Sequence, residues 1–450
     1  MIELLGLLAG LGLLMILALR DVNIIFAAVL CALVVIVTNG LPFAESLTNS
    51  FTIGDLGAFT FAGRFFLLFA AGAVFGRIMG DSHAATAIAM ALVRALGAHR
   101  ALWITVIAGA LLTYGGVVVF VVIFAMYPLG LRLLKEADIP KRLFCGAIAL
   151  GAGTFTLTAL PGTPSIHNVI PTLTLGTDLF AAPLLGLFGG ALMFGLGMAY
   201  LERERVKAQA AGEGFDAGPR DVIPNLSEIE KDVPHWAIAA LPLALVIATI
   251  LAPRLAQLAG VEGTIITFAA TQPVLWPSIA LIAASLVAVA LSPALRKKPL
   301  HIMGLGTQDA IMPLMATSAV IGFGGVVSQT AGFALFVDTV VNSPLEPHLS
   351  MFAAASAVSG ITGSSSGGLQ IFMATMAEPY LALGIEPEEL HRLVAMASGG
   401  FDSLPHCGAV IAMLHICQLT HKQAYKEVGM VTVVVPVIAT LLTIFLAILI

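Results

Sequence analysis

Apolar stretches of roughly 20 residues recur along the whole chain, and a helix of that length covers the hydrocarbon thickness of a bilayer. Such runs leave few options. A backbone in lipid must satisfy its own hydrogen bonds, so only helices and closed barrels can span it. A barrel would show short segments of alternating polarity, which are absent here. Of the 450 residues, 59% are hydrophobic and only 10% are charged, whereas a soluble domain carries about 25% charge. The expected fold class is an all-α polytopic membrane protein with no room for a soluble domain. The lipid bilayer is thus its first partner. A net charge of −5 argues against nucleic acid. Cys31, Cys145, Cys407 and Cys417 lie in apolar runs and read as free thiols. Met1-Ile2-Glu3 lacks a basic leader, so the first apolar run is expected to be a retained helix rather than a removed signal.

The chain also says one thing twice. Ala73-Val74-Phe75-Gly76 recurs some 250 residues later as Ala319-Val320-Ile321-Gly322. Gly115-Gly116 recurs as Gly367-Gly368, Arg142-Leu143 as Arg392-Leu393, and Leu160-Pro161 as Leu404-Pro405. Each half runs apolar helix, Gly-Gly break, basic residue, helix broken at Leu-Pro. A doubled broken-helix unit points to a transporter with its site between the copies.

Crossings are expected near 4–19, 22–39, 62–80, 141–176, 179–200, 235–253, 273–294, 308–329, 389–420 and 423–450. The Gly-Gly segments, 101–134 and 348–384, are expected to be re-entrant hairpins. On this map 18 of the 21 Lys and Arg fall on one side; only Arg64, Arg254 and Arg392 fall on the other. The positive-inside rule makes the crowded side cytoplasmic and puts both termini in the periplasm. Five crossings separate the hairpins, so the repeats are inverted. The segments 82–98 and 331–343 are expected to be interfacial arms, the first with Ser82 as a plausible N-cap. The linker 202–234 should be a solvated cytoplasmic connection.

Four polar islands sit at membrane depth: Thr113–Gly116, Thr154–Asn168, Thr362–Gly368 and Ser398–Gly408. Irregular backbone is tolerated there only when buried or lining a watery cavity. Pro161 and Pro164 cannot continue a helix. The break frees N–H groups that favour an anion and carbonyls that can hold a cation. Such a kink can also be a plain packing bend, and Thr154, Thr156 and Thr158 most often bond back to their own helix. Asp402 is the sole carboxylate in the broken-helix cores, where charge is costly; it could carry a proton or merely cap a half-helix. His406 and His167 could bond a carboxylate or hydroxyl, or serve as structural histidines. Tyr114 could close over substrate or simply pack. No Arg or Lys lies inside the islands, so neutral donors would hold the anion, which suits a small monocarboxylate. Gly363-Ser364-Ser365-Ser366-Gly367 matches G-x-S-x-G, but it lacks the strand that a nucleophile elbow needs, leaving an intramembrane serine hydrolase as a remote alternative. No His or Cys pair shows metal spacing.

At these islands the chain resembles the gluconate permease (GntP) family, and within it the D-beta-hydroxybutyrate permease branch. The resemblance rests on Phe155-Thr156-Leu157-Thr158-Ala159-Leu160-Pro161-Gly162-Thr163-Pro164, on Ile361-Thr362-Gly363-Ser364-Ser365-Ser366-Gly367-Gly368-Leu369, and on Ser398-Gly399-Gly400-Phe401-Asp402-Ser403-Leu404-Pro405-His406. It extends end to end. Two positions depart from the branch pattern: Cys407 stands where Asn is usual, and His167 where Gln is usual. The resemblance implies cation-coupled uptake of 3-hydroxybutyrate across a bacterial inner membrane, by an elevator-type homodimer with scaffold and transport domains. The corresponding map is 1–60 N-terminal scaffold, 61–200 first repeat, 201–234 linker, 235–307 second scaffold, and 308–450 second repeat with the last helix.

The expectation is a secondary active symporter for a short hydroxy-monocarboxylate, with gluconate-type sugar acids as the alternative. Its substrate would meet Tyr114, Gly115, Gly116, Thr158, Gly162, Thr163, Ser165, His167, Asn168, Ser364, Ser365, Ser366, Gly367 and His406. Asp402, Ser403 and His406 would couple a proton, or a sodium ion, with no other cofactor.

Overall fold

The computed structural model describes residues 2–20, 22–221, 223 and 233–450, and within them the chain is helical with no strand. Among the described residues, five helical segments are long and apolar enough to cross a bilayer: Phe43–Asp81, which is interrupted at 54–57, Pro183–Ala210, Trp236–Leu258, Pro299–Val327 and His421–Leu449. Three shorter helices, Ile2–Leu19, Ile24–Thr38 and Leu275–Leu291, and two broken helices occupy the other expected crossings. Large apolar side chains such as Leu184, Phe124 and Phe445 stand exposed, as expected where lipid is the solvent.

The helices start where sequence chemistry lets them. Asn23 opens Ile24–Thr38 by accepting from the Ile25 and Phe26 amides at 3.0 and 3.4 Å. Glu346 opens Pro347–Thr362 by accepting from His348 and Leu349 at 2.9 and 3.1 Å, with proline at the first helical position. Pro299–Val327 packs along Ala58–Asp81. Their approach is so close that a Cβ on Gly306 would lie 2.7 Å from the Val74 Cα.

The expected interfacial segments form as short helices, Ala84–Leu96 and Ala331–Val341. The first turns by 118° into the helix that follows it. Ser82 does not sit at the N-cap: His83 does, in the left-handed region at φ 56°, while the Ser82 hydroxyl accepts from the Ala84 amide at 3.4 Å.

The two Gly-Gly pairs do different jobs, which corrects the expectation that each breaks its hairpin. In the first helix pair, Ala101–Tyr114 and Val119–Ala137, Gly116 makes the turn at φ +91°. In the second, Pro347–Thr362 and Ser365–Thr375, Gly363 makes it at φ +59°. Gly367 and Gly368 already lie inside the following helix. Gly368 is there for contact, because a Cβ on it would fall 2.5 Å from the Ser359 Cα.

Both Leu-Pro sites do break their helices. The first broken helix runs Lys141–Gly153, a short turn Phe155–Thr158, then Ile166–Leu175. The second runs Pro387–Ser398, a single 3₁₀ turn Phe401–Ser403, then Gly408–Ile416.

Over 211–221 the linker, expected to be a solvated connection over 202–234, is exposed or half-buried, and it is also anchored to the protein. The Pro183–Ala210 helix continues into it, and the segment 213–221 packs against the protein. Glu213 pairs with Arg142 at 2.7 Å, and Arg142 in turn pairs with Glu427 at 2.5 Å. The Asp221 carboxylate accepts from Lys141 at 2.6 Å, Tyr127 at 2.7 Å, Gln418 at 2.8 Å and the Gly218 amide at 2.6 Å. Burial pushes the Asp221 carboxyl up, but the bonds from Lys141, Tyr127 and Gly218 outweigh it and hold it below its ordinary value. The rest of the linker, residues 222 and 224–232, lies outside the described residues.

Candidate substrate site

Pro161 and Pro164 cannot donate to a helical ladder, and the segment between Thr158 and Ile166 is accordingly non-helical. Its polar groups are mostly claimed. Thr154 donates to the Leu150 carbonyl at 2.6 Å and Thr158 to the Thr154 carbonyl at 3.2 Å. Thr156 donates to Gly151 and accepts from Thr113 at 3.0 Å. The Ser165 hydroxyl donates to the Leu157 carbonyl at 2.7 Å, and the Gly162 amide to the Leu179 carbonyl at 2.8 Å. Tyr114, at the tip of the first helix pair, donates to the Pro161 carbonyl at 2.9 Å. Beside it Gly116 sits against Pro164, whose Cγ would be 3.1 Å from an added Cβ. Gly115 faces Leu243 instead. Two polar atoms stay unclaimed in this region. The Thr163 hydroxyl and the His167 Nδ1 are both buried with no hydrogen-bond partner.

The turn of the second helix pair meets the first break here. Ser364 caps the Ser365–Thr375 helix by accepting from the Gly367 amide at 3.2 Å, and its hydroxyl meets that of Ser366 at 3.4 Å. Ser365 is the junction. Its hydroxyl lies 2.7 Å from His167 Nε2, and its amide and hydroxyl face the Asp402 carboxylate. Ser403 donates to Asp402 at 3.1 Å. One cluster, His167–Ser365–Asp402–Ser403, thus brings together the first broken helix, the second helix pair and the second broken helix.

Proton counting fixes the directions in that cluster. A hydroxyl has one proton, and with Asp402 ionised Ser365 gives it to the carboxylate. His167 must then donate from Nε2, which leaves Nδ1 as a bare acceptor.

Two expected site residues are committed elsewhere. His406 donates from Nε2 to the Gly360 carbonyl at 3.0 Å, with Gly363 against its ring, so it braces the turn of the second pair. No hydrogen bond joins it to Asp402 among the described residues. Asn168 is engaged at both ends: Nδ2 donates to the carbonyls of Leu160 and Thr163 at 3.2 and 3.1 Å, and Oδ1 accepts from Arg392 at 2.6 Å. With both N–H groups used and Oδ1 on Arg392, it has no donor left for an anion and holds the loop.

Arg392 is buried where the charge count puts it outside the membrane. It reaches the first break. The doubled Arg-Leu pair was the available signal, a basic residue recurring inside an apolar helix. A cavity of about 560 Å³ also opens next to the first tip, lined by Phe69, Arg77, Val118, Val121, Asp309 and Pro313, none of them an expected site residue.

A family model described as GntP family permease matches residues 2–450. The chain is 38% identical to the Bacillus subtilis (strain 168) protein described as uncharacterized transporter YxjC, over 96% of each chain. It is 25% identical to the gluconate permease of Pseudomonas aeruginosa, over 79% of this chain and 77% of that one. Among solved structures, the Alcanivorax borkumensis YdaH transporter superposes with a TM-score of 0.56 at 14% identity, over 86% of this chain and 87% of that one. That likeness bears on the fold alone.

Proposed function

The chain belongs to the GntP permease family, whose members are transporters rather than enzymes, and from that premise we propose that it is a secondary active symporter for a short hydroxy-monocarboxylate, 3-hydroxybutyrate before gluconate. It takes up its substrate across the bacterial inner membrane with a proton, by alternating access. The observation that carries this reading is the cluster His167–Ser365–Asp402, with two open polar atoms beside it.

The chemistry follows from the counting above. The bare His167 Nδ1 accepts the substrate hydroxyl proton, and the Thr163 hydroxyl donates to the carboxylate. A proton arriving at His167 Nδ1 displaces the Nε2 proton onto Ser365, and Ser365 passes its own to Asp402. One proton is taken up and none is lost. His167 Nδ1 then becomes a donor, suited to a carboxylate oxygen. Ion and substrate are thereby linked through one serine. The relay exists only while three separate segments meet, so it couples protonation to their arrangement. In this reading the repeats are inverted, the arms and scaffold helices stay fixed in a homodimer, and the broken-helix unit moves as an elevator. Both termini face the periplasm.

The named activity of the Pseudomonas relative supports gluconate as the second substrate reading. Sodium, held by break carbonyls and serine or threonine hydroxyls, is the rival coupling ion. Purified protein in liposomes, with labelled 3-hydroxybutyrate and either a pH or a sodium gradient, tests the reading. Accumulation is expected with the pH gradient, outcompeted by unlabelled 3-hydroxybutyrate more than by gluconate or lactate. Failure of both gradients to concentrate substrate sinks symport.

A further inference from the structure

Arg392 is fully buried, yet its four hydrogen bonds all end on neutral oxygens. Nε donates to the Ala181 carbonyl at 3.1 Å, Nη2 to those of Ala181 and Leu179 at 3.0 and 3.3 Å, and Nη1 to Asn168 Oδ1 at 2.6 Å. Its counterpart in the first half, Arg142, is matched by two carboxylates, Glu213 and Glu427. Asp178 is the carboxylate whose charge reaches Arg392, but it is bound to Arg254 at 2.8 Å. A buried charge lacking a counter-ion is expensive, and sites that keep one usually use it. One residue away through Asn168 lies the Leu160–Thr163 loop, with the open Thr163 hydroxyl and the open His167 Nδ1.

We infer that Arg392 supplies the positive charge for a substrate carboxylate bound at Thr163 and His167, acting through Asn168 without touching the ligand. This rests on the transport reading above and narrows it. One unmatched arginine balances one negative charge, so a monocarboxylate is preferred and a dicarboxylate is disfavoured by its second charge. The neutral donors of the loop set orientation, while the arginine sets the sign. At an effective dielectric of about 20, a unit charge several ångströms away changes anion binding by roughly tens of fold.

The test compares two ligands of nearly equal shape, 3-hydroxybutyrate and its neutral primary amide, titrated onto the purified full chain. Wild type is expected to favour the acid by at least about 10-fold. Arg392→Gln should bring that ratio close to one, and Arg392→Lys should restore most of it, since lysine keeps the charge but not the guanidinium geometry. Arg254→Gln, a change at a partly exposed pair that costs little stability, frees Asp178 to neutralise Arg392 and should lower the ratio severalfold. It carries the test if Arg392→Gln does not fold. If the substitutions weaken acid and amide alike, leaving the ratio unchanged, Arg392 is only a brace and the inference is wrong while the transport reading stands. A wild type that binds neither 3-hydroxybutyrate, lactate nor gluconate overturns both.

Discussion

Lys141 and Asp221 form an ion pair at 2.6 Å whose side chains are 5% and 0% exposed. One lies at the start of the first broken helix and the other in the linker, 80 residues on. Breaking a buried pair by removing one partner costs about 3–5 kcal/mol. Asp221→Asn is therefore expected to lower the melting temperature in detergent and to expose 213–221 to protease. A wild-type cleavage pattern would show that the linker is held by other contacts.

The same carboxylate sets a pH window. Its folded value lies below the ordinary 3.8, so its contribution is fully present above that value and is lost as pH falls through the folded one. Linker protection from protease should be constant from neutral pH down to about 4 and disappear below it.

Ser365→Ala removes the shared hydroxyl between His167 and Asp402. Proton-driven accumulation is expected to fall by about 10-fold, corresponding to loss of roughly 1.4 kcal/mol of hydrogen bonding. Substrate exchange without a gradient should fall less. Equal loss of both activities would assign Ser365 to binding rather than coupling. Asp402→Asn should likewise abolish accumulation; full retention rules out its role as carrier.

Gly368→Ala drives a methyl into the Ser359 backbone, while Gly304 has nothing within 4 Å of a new Cβ. The first change should destabilise by about 1–3 kcal/mol through overpacking. The second, inside a helix, should stabilise by about 0.5–1 kcal/mol. Thermal melts of the two variants should move in opposite directions.

Much of this was legible because proline and glycine act locally. Pro161, Pro164 and Pro405 stand beside glycines and polar residues and lie in breaks where the sequence put them, whereas Pro128, Pro171 and Pro313 stay inside helices. The short helices at 84–96 and 331–341 fall within the segments 82–98 and 331–343 that sequence marked off, with the first cap one residue later than expected. Partners distant in sequence were not. Nothing near Asp221 announces Gln418 or Lys141, and nothing in the repeat says that Gly367-Gly368 serves packing while Gly115-Gly116 serves a turn. Arg392 was lost to a counting rule: charges were assigned to loops, and one of them was inside. His406 and His167 looked alike in sequence. Only three-dimensional placement gives one a carbonyl to hold and the other an empty nitrogen.

The Arg142 side chain grips the linker with one hand and the helix near the C-terminal end with the other, through Glu213 and Glu427. Residues from both halves are therefore riveted at one corner of the molecule. That corner ties the first broken helix, the linker and the His421–Gly429 helix together. The 213–221 segment is less a tether between two halves than a strap fastened to both, through Lys141 on one side and Gln418 on the other.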